Sequence, residues 1–303
     1  MNTNVVMGKA RLLRALTSLE RAEFVRLEAA LEALLVEGRD QRRHDGAPRQ
    51  RAFGAGGERS KLPTVRAKLL FILFYFKCYP LQDVLAFLFG LSQPQACEWI
   101  RKLTPLVNRV LGRELLLPAR RPADLDVLLQ SVPELRLLVL DGVERPVRRP
   151  KDKDEQKRDY SGKKKSHRKK NLVIASEKRV IYLGPTSAGS VHDKRLADES
   201  GLSYPADTLL LKDSGFQGYE PAGTATLQPK KKPRGRLFHP IQKLINQAIS
   251  RVRVSVEHAI AGVKRCHIVA DTFRNRRHGF VDEVMLVASG LHNLRVGHRT
   301  LAA

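Results

Sequence analysis

Two short apolar runs far apart in the chain constrain it most. Leu135–Leu140 and Thr208–Lys212 are each followed by an aspartate with a glycine close behind, as Asp141-Gly142 and Asp213-Ser214-Gly215. Runs of this length read as buried strands. Sheets of α/β proteins place their functional groups at strand C-termini, where glycine lets another backbone come close. A single aspartate there is as readily a turn residue, which short polar side chains suit well. Two in the same setting favour a site. Further strands are predicted over Asn171–Ala175 and Val180–Leu183, and a short helix over Ser190–Ser200. Pro240 opens a long helix to about Cys266, and a final amphipathic helix covers Val281–Leu294.

The chain ahead of these strands reads as helical. Leu12, Leu13, Leu16, Leu19, Phe24, Leu27, Leu31 and Leu34 recur mostly at threes and fours, giving a helical segment over 1–37. Residues 38–60 are rich in Arg, Gly and Gln and read as a basic flexible linker, either solvated or lying on DNA. Over 61–120 the helical signal returns. A helix runs from Pro63 to about Lys77, and a short one from Leu81 to Phe89 is closed by Gly90. Ser92 caps a third from Gln93 to about Leu111, in which Pro105 is expected to kink or split the helix. This is a helix-turn-helix layout that would present Gln93, Gln95, Glu98 and Arg101 to a DNA groove; an ordinary three-helix packing unit is the alternative.

Charge narrows the partners. The 303 residues carry 55 Lys and Arg against 31 Asp and Glu, a net +24, which calls for a polyanion. The longest apolar run, Leu69–Phe76, falls far short of the roughly 20 residues that span a bilayer. Aromatics are only 6% of residues and many sit in apolar runs, which argues against base-stacking RNA recognition. Cys78, Cys97 and Cys266 are too scattered for a disulfide framework or zinc finger and fit a reducing cytoplasm. The order of three strands, a helix, a strand and then helices is an α/β order compatible with a ribonuclease H-like sheet.

A third acid, Glu257, lies on the long helix. Ile249, Val252, Val256, Ile260 and Val263 form its apolar stripe, and Arg253, Glu257 and Lys264 fall together beside it, with His258 on the opposite side. An Arg253–Glu257 bridge on a solvated helix is the plainer reading. Three carboxylates from distant segments are also what a two-metal phosphodiester site needs: Mg²⁺ prefers oxygen ligands, and a metal pair can activate water and stabilise the leaving oxygen. The basic stretch after Asp141 holds Lys163, Lys164, Lys165, Arg168, Lys169 and Lys170, expected to contact phosphates, as is a second cluster over 230–236. Asp193 could be a fourth acid but suits the first turn of a helix. Cys266-His267 has no partner pair at zinc spacing.

The ordered set Asp141-Gly142, Asp213-x-Gly215-Phe216 and Arg253-x3-Glu257-x6-Lys264 resembles the DDE transposases of bacterial insertion sequences, most closely the family called insertion sequence five, related to the Harbinger elements. Supporting stretches are Asp141–Pro146, Tyr160–Lys165, Gly189–Asp193, Gly215–Tyr219, Asp271–Arg276 and Gly290–Arg295. One departure is Ser250, where the family often has Tyr. The resemblance implies a ribonuclease H-like catalytic domain over 130–298. In it Asp141, Asp213 and Glu257 would hold Mg²⁺ or Mn²⁺, as two ions, while Arg253 and Lys264 contact DNA near the cut. It implies hydrolysis at element ends, then attack of the freed 3′-hydroxyl on target DNA. The partner would be double-stranded DNA, bound by a homodimer or larger assembly in the bacterial nucleoid. A catalytically silent, domesticated DNA-binding protein is the rival.

Overall fold

The computed structural model describes residues 1–37, 61–230 and 240–301. The expected linker over 38–60 and all but the first residue of the second basic cluster lie outside the described residues. The chain divides into two compact units. One gathers the helices up to Leu117 with Lys264–Ala270 and the chain from Glu283 onward; the other comprises Pro118–Val263 and Asp271–Asp282.

The helical unit begins with α1 (Thr3–Gly8), α2 (Ala10–Thr17) and α3 (Arg21–Glu37). Its centre is α4 (Val65–Cys78), in which every residue from Ala67 to Phe76 is buried. Such a helix is apolar on all sides because neighbours cover all of it: α2, α3, α6 and α11 all pack on it. Lys68 is the exception in composition. Its stem is buried, and its ammonium donates to the Pro63 carbonyl at 3.3 Å and lies 5.8 Å from the Trp99 ring centre. Burial lowers its pKa.

The helix-turn-helix layout then follows its local signals. α5 (Gln82–Phe89) ends at Gly90, whose φ of +65° is left-handed. Ser92 opens α6 (Gln93–Arg113) with a full capping box, its side chain accepting from the Gln95 amide while the Gln95 side chain accepts from the Ser92 amide. Pro105 neither splits α6 nor ends it. The amide it lacks would have bonded the Arg101 carbonyl, and both residues lie on the exposed face.

The second unit opens with α7 (Pro122–Ser131) and carries β1 (Leu137–Pro146), α8 (Lys153–Asp159), β2 (Tyr160–Ser161), β3 (Ser166–Ser176), β4 (Arg179–Leu183), β5 (Ser187–Ala188), α9 (Asp193–Asp198), β6 (Leu209–Lys212), β7 (Ala225–Leu227) and α10 (Pro240–Val263). The main sheet runs β4-β3-β1-β6-β7: β3 is antiparallel to β1 and β4 to β3, whereas β6 is parallel to β1 and β7 to β6. Leu138, Leu140, Leu172, Ile174 and Leu210 form the core on one face, with Leu125 and Leu129 of α7 and Phe216. α10 packs on β1, β3, β4 and β6.

One further expectation is corrected. β1 does not stop at Asp141-Gly142 but continues to Pro146, and the basic stretch supplies its partner, since Ser166–Lys170 is the first half of β3. The polar ends of both strands cover each other, with Glu144 opposite Lys170 and Arg145 opposite Lys169. By compactness, the stretch expected to form one catalytic domain over 130–298 contributes to both units. Lys264–Ala270, containing α11 (His267–Ala270), and the bulk of α12 (Phe280–Leu301) group with the helices. There Gly290 of α12 lies against Leu111 and Leu117, and Asn293 donates to the Leu116 carbonyl at 2.9 Å.

Candidate active site

The two aspartates meet because β1 and β6 are parallel neighbours. Leu137–Leu140 pairs in register with Leu209–Lys212, so Leu140 faces Lys212 and the next residues on the two strands are Asp141 and Asp213. Beyond this point β6 ends, while β1 continues with β3 alone. Lys212 anchors the end of β6: it is fully buried, and its ammonium reaches the Tyr219 carbonyl and Glu220 at 2.6 Å. Asp213 then caps a 3-10 turn over Ser214–Phe216.

Each aspartate turns one oxygen onto the next amide. Asp141 Oδ1 accepts from Gly142 at 2.7 Å and Asp213 Oδ1 from Ser214 at 2.6 Å. In this arrangement no three His, Cys, Asp or Glu side chains converge on one ion among the described residues. The pair is nonetheless strained electrostatically. Burial pushes the Asp141 carboxyl up to about 6, and the neighbouring Asp213 and Asp193 charges push the same way, against the Gly142 amide and Arg253.

α10 brings an arginine to this edge. Ile249, Val256, Ala259 and Val263 are buried, close to the expected stripe. Arg253 Nη1 stands 3.4 Å from Asp213 Oδ1 with the side chain 14% exposed, and its Nε is buried with no hydrogen-bond partner among the described residues. The ion pair of Arg253 is thus with Asp213 and not with Glu257. Glu257 is exposed one turn further along, about 6 Å up the axis, so it does not join the two aspartates here. His258 is exposed, as expected. Lys264 is half-buried just past the end of α10 and groups with the helical unit.

The acid that does lie beside the pair is Asp193. A methyl group on Gly142 would stand 2.8 Å from Asp193 Oδ1, and one on Gly215 would stand 2.7 Å from Oδ2. Neither glycine has a positive φ, so both are there for space. The sequence reading had these glycines admit an approaching backbone; what approaches is a carboxylate. Lys170 holds it at 2.9 Å while also reaching the Val191 carbonyl at 2.9 Å and Glu144 at 3.4 Å. Asp193, which the sequence offers as a fourth acid but favours as a first-turn helix residue, does open α9 and also lies beside the pair.

The expected DNA-contacting lysines separate into two groups. Lys170 is buried, and Lys169, half-buried, pairs with Asp159 at 2.7 Å, so both are engaged by acids of the protein itself. Lys163, Lys164 and Lys165 are exposed in the turn between β2 and β3. Lys163 also lines a polar cavity of about 400 Å³ whose walls include Asp213, Asp193, Glu144, His192 and Gly215. In the helix-turn-helix, Gln93, Gln95 and Arg101 are exposed; Gln95 is engaged in the cap, and Gln93 donates to Gln82 at 2.6 Å.

Comparison with known proteins places the chain in a family. Residues 140–293 match the family described as DDE superfamily endonuclease, and residues 60–113 match the helix-turn-helix of DDE superfamily endonuclease. The chain is similar to a probable transposase for an insertion sequence element of Microchaete diplosiphon, 29% identical over 239 residues, which span 78% of this chain and 82% of that protein. No solved structure matches it.

Proposed function

This chain belongs to the DDE superfamily endonucleases, and from that premise we propose that Asp141 and Asp213 are the first two acids of its catalytic set, with Glu257 as the third. The protein is a transposase, an endonuclease acting in DNA transposition. Within the superfamily our reading is the insertion sequence five branch, with a ribonuclease H-like catalytic domain. The strand order β4-β3-β1-β6-β7, antiparallel on one side of β1 and parallel on the other, supports that fold. The observation that carries the site is the register that makes Asp141 and Asp213 neighbours at the end of the parallel pair.

Enzymes of this superfamily generally depend on divalent metal. The donor set fits: the carboxylates offer only oxygen, and the half-buried Asp141, pushed upward beside Asp213 and Asp193, is in the state a cation would relieve. Asp141, Asp213 and Glu257 would hold Mg²⁺ or Mn²⁺, in our reading two ions, which when bound supply an activated water and charge neutralisation at the scissile phosphate. Each aspartate would offer the carboxylate oxygen that is not engaged by the Gly142 or Ser214 amide. Arg253 neutralises part of the charge of Asp213, and in our reading it would also contact DNA near the cut. Lys163, Lys164, Lys165 and Lys264 would add phosphate contacts, and Gln93, Gln95 and Arg101 would face a groove of the element-end duplex. Synapsis of two ends favours a homodimer. No helix among the described residues is long and apolar enough to cross a membrane; we place the protein on the nucleoid.

The test is cleavage of DNA carrying the ends of the element, with Mg²⁺ or Mn²⁺, for wild type and Asp213→Ala. The expected result is metal-dependent nicking at the ends that falls by on the order of 10³-fold in the variant while binding persists. Tight binding by the wild type with no cleavage in either metal would favour the domesticated DNA-binding rival.

A further inference from the structure

The sheet unit holds a second, larger concavity with a different lining. It encloses about 850 Å³ between the chain leaving β1, the loop around β5 and the segment Phe273–Asp282. Phe273 fixes its depth: its amide donates to the Pro146 carbonyl at 2.9 Å, and it bridges to Val147 beside it. Phe273, Pro150, Pro185 and Val281 give it an apolar floor.

Its rim is cationic. Seven Lys and Arg line it against three acids. Asp159 pairs off one of the seven, Lys169, at 2.7 Å, and Asp282 is engaged at 2.5 Å by Arg120 from outside the lining while accepting from the Thr186 amide at 3.0 Å. Glu155 is the third. Arg149 bonds Gln156, and Arg277 lies 4.5 Å over the Phe280 ring. Arg148, Lys151 and Arg276 are exposed at the mouth. A cationic mouth over an apolar floor suits a strand of alternating phosphates and sugars better than a small anion, which would leave the floor uncovered.

Its position relates it to the aspartates. Side chains alternate along a strand, so Asp141, Val143, Arg145 and the continuing Val147 share one face of the sheet. Six residues at about 3.3 Å each set the groove roughly 20 Å from Asp141. A duplex advances about 3.4 Å per phosphate along each strand, so that distance is about six base pairs. We propose that this groove binds the backbone of one DNA strand about six base pairs from the scissile phosphate, with Arg148 and Arg276 on its phosphates. The proposal rests on the catalytic reading of Asp141 and Asp213.

The experiment uses the full chain and an element-end duplex, comparing wild type with the exposed double variant Arg148→Gln/Arg276→Gln. Affinity is measured across a salt series, and binding is repeated on duplexes ethylated at single phosphates. The expected slope of log affinity against log salt falls by about 1.8 in the variant. Ethylation near the sixth phosphate from the cut should weaken the wild type and leave the variant unaffected. An unchanged slope, or an interference pattern identical in both proteins, overturns the groove. If wild type cuts the ends and only the groove results fail, the catalytic reading stands; if wild type neither binds nor cuts, both fall.

Discussion

In the helical unit, Gly90 closes α5 with φ at +65° and nothing within 4 Å of where a side chain would begin. In the sheet unit, Gly142 and Gly215 have no positive φ, and each would drive a side chain into the Asp193 carboxylate. The first glycine answers a local demand of the backbone: α5 must turn before Ser92 can start α6. The other two answer a demand made by a carboxylate far away in sequence. Regions assembled by local demands are forgiving, because solvent absorbs small errors. The acid edge has no such slack, since Asp141, Asp193, Asp213, Lys170 and Arg253 crowd one corner and each charge depends on its neighbours.

The largest effect expected from that crowding is at Asp141. Its carboxyl lies at about 6, against roughly 3.9 in an unfolded chain. Below about pH 4 it is protonated in both states and costs folding nothing. Between pH 4 and 6 the unfolded chain gains its charge more readily than the folded one, and above pH 6 the cost is constant at about 3 kcal/mol. Asp141→Asn should therefore stabilise the metal-free protein by up to about 3 kcal/mol at pH 7.5 and hardly at all at pH 4, while abolishing cutting. Thermal melts at the two pH values check this. Asp213→Asn, which loses Arg253 as its partner, should show no such gain. Equal shifts for both variants would erase the distinction between the two acids.

How far each region was legible follows from the same contrast. The turn through Gly90 and Ser92 was readable because glycine, cap and Gln95 lie within six residues of one another. The neighbouring aspartates were readable because apolar runs mark strand ends. The continuation of β1 was not, since Gly142-Val143-Glu144-Arg145 is as polar as a loop until Lys169–Leu172 pairs with it from across the sheet. Lys169 and Lys170 looked like DNA contacts for the same reason: a run of charge does not disclose that Asp159, Glu144 and Asp193 await it. The stripe of α10 was visible, but which of Arg253 and Glu257 reaches Asp213 depends on its depth against the sheet. The periodicity of α12 was equally visible, and its partners Leu111 and Leu117 were not.

The crowding can be probed from the glycine side. Gly215→Ala places a methyl group 2.7 Å from Asp193 Oδ2, and Gly142→Ala places one 2.8 Å from Oδ1. Each should cost about 2 kcal/mol, the usual scale of overpacking, as Asp193 is pushed off Lys170. Removing the obstacle should return part of that cost. In a double-mutant cycle, Gly215→Ala with Asp193→Ala should destabilise less than the sum of the two single changes. Strict additivity by urea denaturation would mean that Asp193 is not what these glycines make room for.

Gly90 should behave in the opposite way, which is the smallest effect and the most direct check on the comparison. Alanine meets no atom there, so nothing is overpacked; the cost is that of holding a non-glycine residue in the left-handed region, about 1 kcal/mol. Asparagine tolerates that conformation better than alanine does. Gly90→Asn should therefore recover part of what Gly90→Ala loses, whereas asparagine at Gly142 or Gly215 should be worse than alanine because it is larger. The order of the two substitutions reverses between the sites, and urea denaturation of the four variants reads it directly. If alanine were the milder change at Gly90 as well, the backbone of that turn would not require the left-handed conformation, and the contrast between a conformational and a spatial glycine would collapse.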